Sequence, residues 1–445
     1  MQTAELEASL NHFSPTVRGQ ALASLLAAGG SFPAPQEIFN LHSHTFFSFN
    51  AYGYSPSALA WLARQRGFLA IGIVDFDVLD GVEEFLTACD LVGVRGTASM
   101  ETRVYVPEFS TREINSPGEP GVFYYMGVGF TRRDPPPEAA PILTDMRRRA
   151  ENRNRAMLQR LNDYLQTPAN AFAAVDYARD VLPLTPAGSA TERHILVAYD
   201  RAGQKFADPA QFWAEKLSLP REQIQAQLGD AAKFHNTLRG KLMKRGGAGY
   251  AQPGPDTFPL LDDVNRLIIA CGALPCATWL DGLSAAEQAE EELLTLLIAK
   301  GAAAINIIPD RNWNIADPVQ RQVKVEKLYE VVALAQKLDL PIVVGTEMNA
   351  PGQKLVDDFD APALAPVRQA FVDGAYFLYG HTVLQRALGL GYQSDWAKAH
   401  LPSRAARNAF YTRAGRLIPP GEAGLSRVMH TDPQADPETL LQKFS

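Results

Sequence analysis

From residue 36 onward, short apolar runs alternate with amphipathic helical stretches, and this alternation restricts the chain to βα units built around a sheet. The runs EIFNLH, LAIGIVDF, TASMETRVYV, GVFYYMGVGF, LPCATWL, AAAINIIP and LPIVVGTEM are seven strand candidates; the alternation of the first three with helices indicates parallel βα units, and a loop rich in Pro, Gly and Glu (107–120) leads into the fourth. The first helix is well specified: Ser55 can cap it, Pro56 fits its first turn and Gly67 supplies a left-handed stop. Between residues 136 and 250 the alternation gives way to a polar, nearly all-helical stretch whose longest segment is MRRRAENRNRAMLQRLNDYL. Seven strands interrupted by one helical insertion fit a single distorted (β/α)7 TIM-like barrel better than two independent sheets.

This gives an N-terminal helical preface (1–35), a first barrel part (36–135), a helical insertion (136–250), a second barrel part (251–360) and a C-terminal helical extension (361–445). The 445 residues exceed the usual length of one domain, as α/β barrels commonly do. With 46% hydrophobic and 20% charged residues, a disordered or collagen-like chain is excluded. Lys and Arg total 42 against 49 Asp and Glu, so at a net charge of −7 a polyanion meets repulsion away from any local basic patch, and nucleic acid is not an expected partner. Cys89, Cys271 and Cys276 lie in apolar segments without disulfide or zinc-ribbon spacing and read as reduced core residues. The first residues lack a basic segment leading into an apolar one, and no window approaches the roughly 18 apolar residues of a membrane helix. The expectation is a soluble cytoplasmic protein, with oligomeric state illegible.

The sharpest local signal is His42-Ser43-His44 at the end of the first strand candidate. In an extended chain, side chains two residues apart point to the same side, so two imidazoles can converge on one metal ion. Functional groups of α/β barrels also gather at the C-terminal ends of strands.

The stretch NLHSHTFFSFNAYGYSPSALAWLARQRGFLAIGIVDFDVLDG resembles the opening of the PHP (polymerase and histidinol phosphatase) family: a strand, HxH, a Ser-Pro helix start, then a second strand ending in an acidic motif. GTASMETRVYV is similar to the family's third strand with its bridging glutamate. GVFYYMGVGF, TERHILVAYDRAG, the run from GGAGY to LPCATW, and LPIVVGTEMN follow in the order of the phosphoesterase branch. The resemblance spans roughly residues 36 to 350 and implies the PHP fold. Of nine ligand positions for up to three metals, His42, His44 and Glu101 match, and Glu347 stands where an aspartate is usual. Phe49, Phe76, Tyr124, Thr278 and Asn349 replace the other five ligands. The retained four together form the family's first metal site, so the resemblance implies one divalent metal, zinc, manganese or iron by ligand type.

Asp75 and Asp77 flank Phe76 in VDFD and are candidates for assisting proton transfer, the resemblance implying an imidazole partner role for Asp75. Thr191 can cap a helix that places Arg193 and His194 in its first turn, where exposed amides favour an anion, and the resemblance implies a phosphate-facing pair. Lys244 and Arg245, before Gly246-Gly247, form a second candidate anion site. Asn312, Trp313 and Asn314 follow a strand and should lie at the barrel mouth, while His381 could approach from the C-terminal region. Nucleophile-elbow, Walker A and dinucleotide motifs are absent from the sequence. The reading is a metal-dependent hydrolase resembling PHP phosphoesterases, acting on a small phosphorylated or other anionic substrate. The alternatives are a catalytically inactive PHP-derived binding protein and a mononuclear amidohydrolase-like enzyme.

Overall fold

All seven apolar runs form strands: β1 (Gln36–Ser43), β2 (Phe68–Phe76), β3 (Arg95–Tyr105), β4 (Val122–Val128), β5 (Leu274–Trp279), β6 (Ala304–Ile307) and β7 (Ile342–Val344). They belong to a computed structural model that describes residues 3–167 and 172–444. The strands hydrogen-bond in chain order into one sheet. Pairs β1–β2, β2–β3, β5–β6 and β6–β7 are parallel. β4, where the alternation with helices stops, departs from the parallel pairing of a regular (β/α)7 barrel and runs antiparallel to both β3 and β5. Its connection from β3 contains only the single 3-10 turn Pro107–Phe109 and no crossover helix, so the chain turns back beside the strand it left.

The last strand returns to the first. Ser43 and Glu347 pair across the gap, where the Glu347 N–H donates to the His42 carbonyl at 2.7 Å and the His44 N–H donates to the Glu347 carbonyl at 2.8 Å. The nearly closed sheet is a distorted TIM-like barrel. Asn40 reinforces the seam from inside: its Nδ2 donates to Thr346 Oγ1 at 2.7 Å and to the Leu355 carbonyl at 2.8 Å, and its Oδ1 accepts from the His42 and Thr346 N–H groups. Gly345 permits the close approach, since a Cβ there would lie 2.4 Å from both Asn40 Oδ1 and the His42 nitrogen.

The helix Pro56–Gln65 starts as its sequence dictates, with Ser55 Oγ accepting from the Ala58 N–H at 3.0 Å, and Gly67 follows its end at φ 64°. One apolar core gathers the strands, the flanking helices, the N-terminal helices Thr3–Ser9 and Pro15–Ala28, and the C-terminal helices from Arg368 onward. The helices Ala140–Leu165, Glu192–Gly203, Pro209–Leu217, Arg221–Gln227 and Ala231–Leu238 enclose a second apolar cluster around Trp213, Tyr199 and Phe234. Among the described residues, no helix is long and apolar enough to cross a membrane.

Because the seam leaves no room at Gly345, Gly345→Ala is expected to destabilise the protein by roughly 1–3 kcal/mol, the usual effect of overpacking. Gly19→Ala is the control: it lies within a helix with open space around it and should be neutral or slightly stabilising. Urea unfolding of the two variants distinguishes a packed seam from a loose one.

Candidate metal centre and its basic cavity

β1 delivers His42, and one residue past its end His44, to the same side, as the two-residue spacing requires. Glu101 arrives from β3, and the ligand atoms of these three buried residues lie within 4.8 Å of one another. Glu101 Oε2 is 3.4 Å from His42 Nε2 and 3.2 Å from His44 Nε2. None of these three atoms has a hydrogen-bond partner. The opposite edge of each ring is held. His42 Nδ1 faces Asn306 Oδ1 at 3.2 Å, and because the Asn306 amide nitrogen donates to the Val343 carbonyl at 3.0 Å, the oxygen receives the ring N–H. His44 Nδ1 lies 3.1 Å from Ser48 Oγ, whose hydroxyl donates to Asp75 Oδ1 at 2.6 Å, so here too the ring is the donor. The network thus assigns the Nδ1–H tautomer to both rings and leaves each Nε2 lone pair facing Glu101.

Burial alone would lower the pKa of His42, but the neighbouring Glu101 carboxylate, with the charge of Glu347, holds it above the ordinary value. Burial would likewise raise Glu101, yet the two imidazoles bring it down to about 2. The glutamate is therefore an anion throughout the neutral range. A proton can satisfy one Nε2 atom against it, whereas a single divalent cation satisfies all three orphaned atoms at once.

Glu347 falls outside this group of three. Its Oε2 accepts from Arg311 Nη2 at 2.6 Å and from Gln353 Nε2 at 2.9 Å. Asp75 has both oxygens committed, to the Thr45 N–H and hydroxyl and to Ser48, and it is not among the cavity-lining residues. Asp77 does line the cavity: Thr102 Oγ1 donates to its Oδ1 at 2.5 Å, and Arg153 stands 3.8 Å from its Oδ2. Burial raises the Asp77 pKa against the pull of Arg153. Phe76 stacks on His44 with ring centroids 4.9 Å apart, forming an apolar wall on that side of the centre.

His42, Glu101 and Glu347 open into a cavity of about 1500 Å³. Its lining carries eleven basic side chains against eight acidic ones, the inverse of the balance of the whole chain. Arg103 and Arg153 both pack on Phe258, with guanidinium carbons 4.4 and 4.5 Å from the ring centroid. Burial depresses Arg153 to about 10, and burial with the charge of Arg239 does the same to Arg193. Arg193 Nη1 is buried without a hydrogen-bond partner. Glu192 is shared between Arg239 and Lys244, the latter at 3.8 Å. Cations crowded together and partly desolvated in this way are stabilised by an anion.

The pair expected at the start of the helix Glu192–Gly203 divides. Arg193 lines the cavity, but His194 accepts from the Thr191 N–H at 3.0 Å, capping its own helix, and sits edge-on behind the cavity-lining Phe49 without lining the cavity itself. Lys244 and Arg245 both line it. Asn312, Trp313 and Asn314 do not: Asn312 is buried and donates to the Leu280 and Ile308 carbonyls, Trp313 donates to Asp357, and the turn presents Arg311 instead. His381 lies in the core beneath Gly129, accepting from the Tyr392 N–H at 3.1 Å. Sequence reasoning missed Asn306, Ser48, Arg103, Arg153 and Arg311. Asn306 carried a signal as the polar residue of an otherwise apolar strand, and Arg103 shares a strand face with Glu101. Arg153 and Arg311 carried none, being two among many arginines in polar segments.

No protein-family model matches the chain, and neither does any curated protein. Among solved structures it is similar to an amidohydrolase from Chromobacterium violaceum, with a TM-score of 0.49 and 17% identity over 75% of this chain and 96% of that one. It is also similar to a protein from Bifidobacterium adolescentis described as a metal-dependent phosphoesterase, with a TM-score of 0.45 and 19% identity over 76% and 98% of the two chains. At such values the residues of the site have to decide the chemistry.

Two outcomes follow from this geometry. Asn306→Leu removes the acceptor that orients His42 and should weaken divalent-metal binding by about 10- to 100-fold in a chelator-competition titration. The second concerns pH. Burial pushes His194 and His381 down to about 3, from 6.5 in an exposed histidine. Between those values the unfolded chain binds the two protons and the folded chain does not. Their contribution is therefore complete above about pH 6.5 and declines as pH falls toward 3, by up to about 1.4 kcal/mol per pH unit per histidine. Urea unfolding between pH 7 and 4.5 should show this slope, and a His194→Gln, His381→Gln double variant should flatten it.

Proposed function

We propose that the protein is a hydrolase that uses one divalent metal, zinc, manganese or iron by ligand type, on a small phosphorylated or otherwise anionic substrate. The observation that carries this reading is the convergence of three buried, unpartnered ligand atoms, His42 Nε2, His44 Nε2 and Glu101 Oε2, with His42 and Glu101 lining a cavity that has a basic wall. Two imidazoles and one carboxylate with a further position open match the ligand set of catalytic rather than structural zinc sites. A divalent cation held there would supply Lewis acidity toward the scissile group and toward water. The chain's own residues do the rest. Asn306 and the Ser48–Asp75 pair keep both rings in the donating tautomer, so Asp75 is a positioning residue. Asp77 reaches the cavity and has its pKa raised by burial, which suits it to exchange a proton with a substrate oxygen. Arg193, Lys244 and Arg245 hold the anionic group, and Phe49 and Phe76 keep water from the side where the family has further metal ligands.

A second reading, an anion-binding protein without turnover, draws on Phe76 stacking against His44 in place of a ligand. Metal analysis by mass spectrometry, with a phosphomonoester screen, separates the two. The expected result is about one equivalent of metal, lost in the His42→Ala, His44→Ala double variant together with hydrolysis. Arg193→Ala should raise KM about tenfold or more with little change in metal content. Failure to bind metal after reconstitution overturns the hydrolase, whereas metal and phosphate binding without turnover of any phosphoester, lactone or amide favours the binding protein.

A further inference from the structure

The short turn Asp310–Trp313 after β6 carries Arg311 into the cavity. Its Nη2 donates to Glu347 Oε2 at 2.6 Å, and Gln353 braces the same oxygen at 2.9 Å. Glu347 is in turn fixed to the strand of the histidines, through its N–H to His42 and its carbonyl to His44. The backbone there is left-handed at two successive non-glycine residues, φ 67° at Glu347 and 58° at Met348. Such conformations cost about 1–3 kcal/mol each and persist where the surroundings impose them, commonly at functional sites. The Arg311 side chain nevertheless remains 44% exposed, so that N–H groups not spent on Glu347 are open to the cavity. Glu101 and Tyr124 lie near enough to act on its charge.

The geometry points to Arg311 as a tethered cation that binds the substrate's anionic group beside the metal position, with Glu347 as its anchor rather than a fourth metal ligand. The positions at which the resemblance would put the ligands of further metals hold Phe49, Phe76, Tyr124, Thr278 and Asn349, a set unsuited to a second divalent ion. A guanidinium supplies part of what such an ion would: a permanent positive charge and a planar fork that matches the oxygens of a phosphate or carboxylate. It does not supply Lewis acidity toward water, so it complements the His42–His44–Glu101 group without duplicating it. Leaving Glu347 to Arg311 also keeps the centre at three protein ligands. The inference rests on the hydrolase reading for its chemistry, whereas anion binding at Arg311 is measurable without turnover.

The test is calorimetric titration of inorganic phosphate into the full chain, after chelation and after metal loading, for wild type, Arg311→Gln, Arg311→Lys and Glu347→Gln, with metal content measured on each. Circular dichroism and thermal unfolding check that the variants fold. Arg311→Gln should weaken phosphate binding by about tenfold or more in both states while retaining metal. Arg311→Lys should recover part of the loss, because the charge returns without the fork. Glu347→Gln should weaken phosphate and keep the metal. Phosphate affinity within about twofold of wild type in Arg311→Gln overturns the assignment, and so does loss of metal in Glu347→Gln, which would make Glu347 a ligand. A wild type that hydrolyses nothing but binds phosphate through Arg311 upholds this inference while removing the hydrolase, so the two failures are distinct.

Discussion

Two backbone hydrogen bonds at Glu347 and one buried asparagine close this barrel, and the site depends on that closure. β6 has four residues and β7 three, so the last strands bring few ladder bonds to the seam. Asn40 supplies what the short strands lack. It is fully buried, and its amide bonds to both sides of the gap, a satisfied polar network of the kind that defines one arrangement rather than several. Because the same backbone groups belong to His42, His44 and Glu347, closing the sheet also sets where the imidazoles and the anchor of Arg311 stand relative to one another.

The site is organised by two complementary deficits. At one end are three desolvated ligand atoms short of a cation, two of them on residues that line the cavity, and along the cavity wall are desolvated guanidinium and ammonium groups short of an anion. In a low-dielectric cavity each deficit is costly by itself. A divalent cation and an anion bound together would relieve both, and the apolar face of Phe76 would strengthen each interaction by excluding water. The net charge of the chain gives no hint of this, since the positive potential is confined to one concavity of an acidic protein.

The sequence was most readable where structure is local. The seven apolar runs are all strands, Ser55 caps its helix, and the two-residue spacing of His42 and His44 brings both rings to one side. Glu101 joins them where the resemblance put it. Direction was less readable: β4 is antiparallel because a long loop without a helix joins it to β3, and loop length alone does not announce a reversal. Residues one or two positions apart also separated in ways no pattern predicts. Asp75 turns into a hydrogen-bonded pocket while Asp77 faces the cavity, and His194 caps its helix while its neighbour Arg193 lines the cavity. Such choices follow from which neighbours are packed alongside, not from spacing.

By itself the sequence determined the strand count and the pairing of two imidazoles on one edge, because periodicity, turn chemistry and residue spacing act over a few residues. Only the tertiary structure decided the tautomer of His42, set by Asn306 across 264 positions, and the closure at Asn40, set by Thr346 across 306. It alone chose Arg311, from 42 basic residues, as the partner of Glu347. Those outcomes are matters of distance and desolvation between segments far apart in the chain, and only the closed barrel brings them within reach.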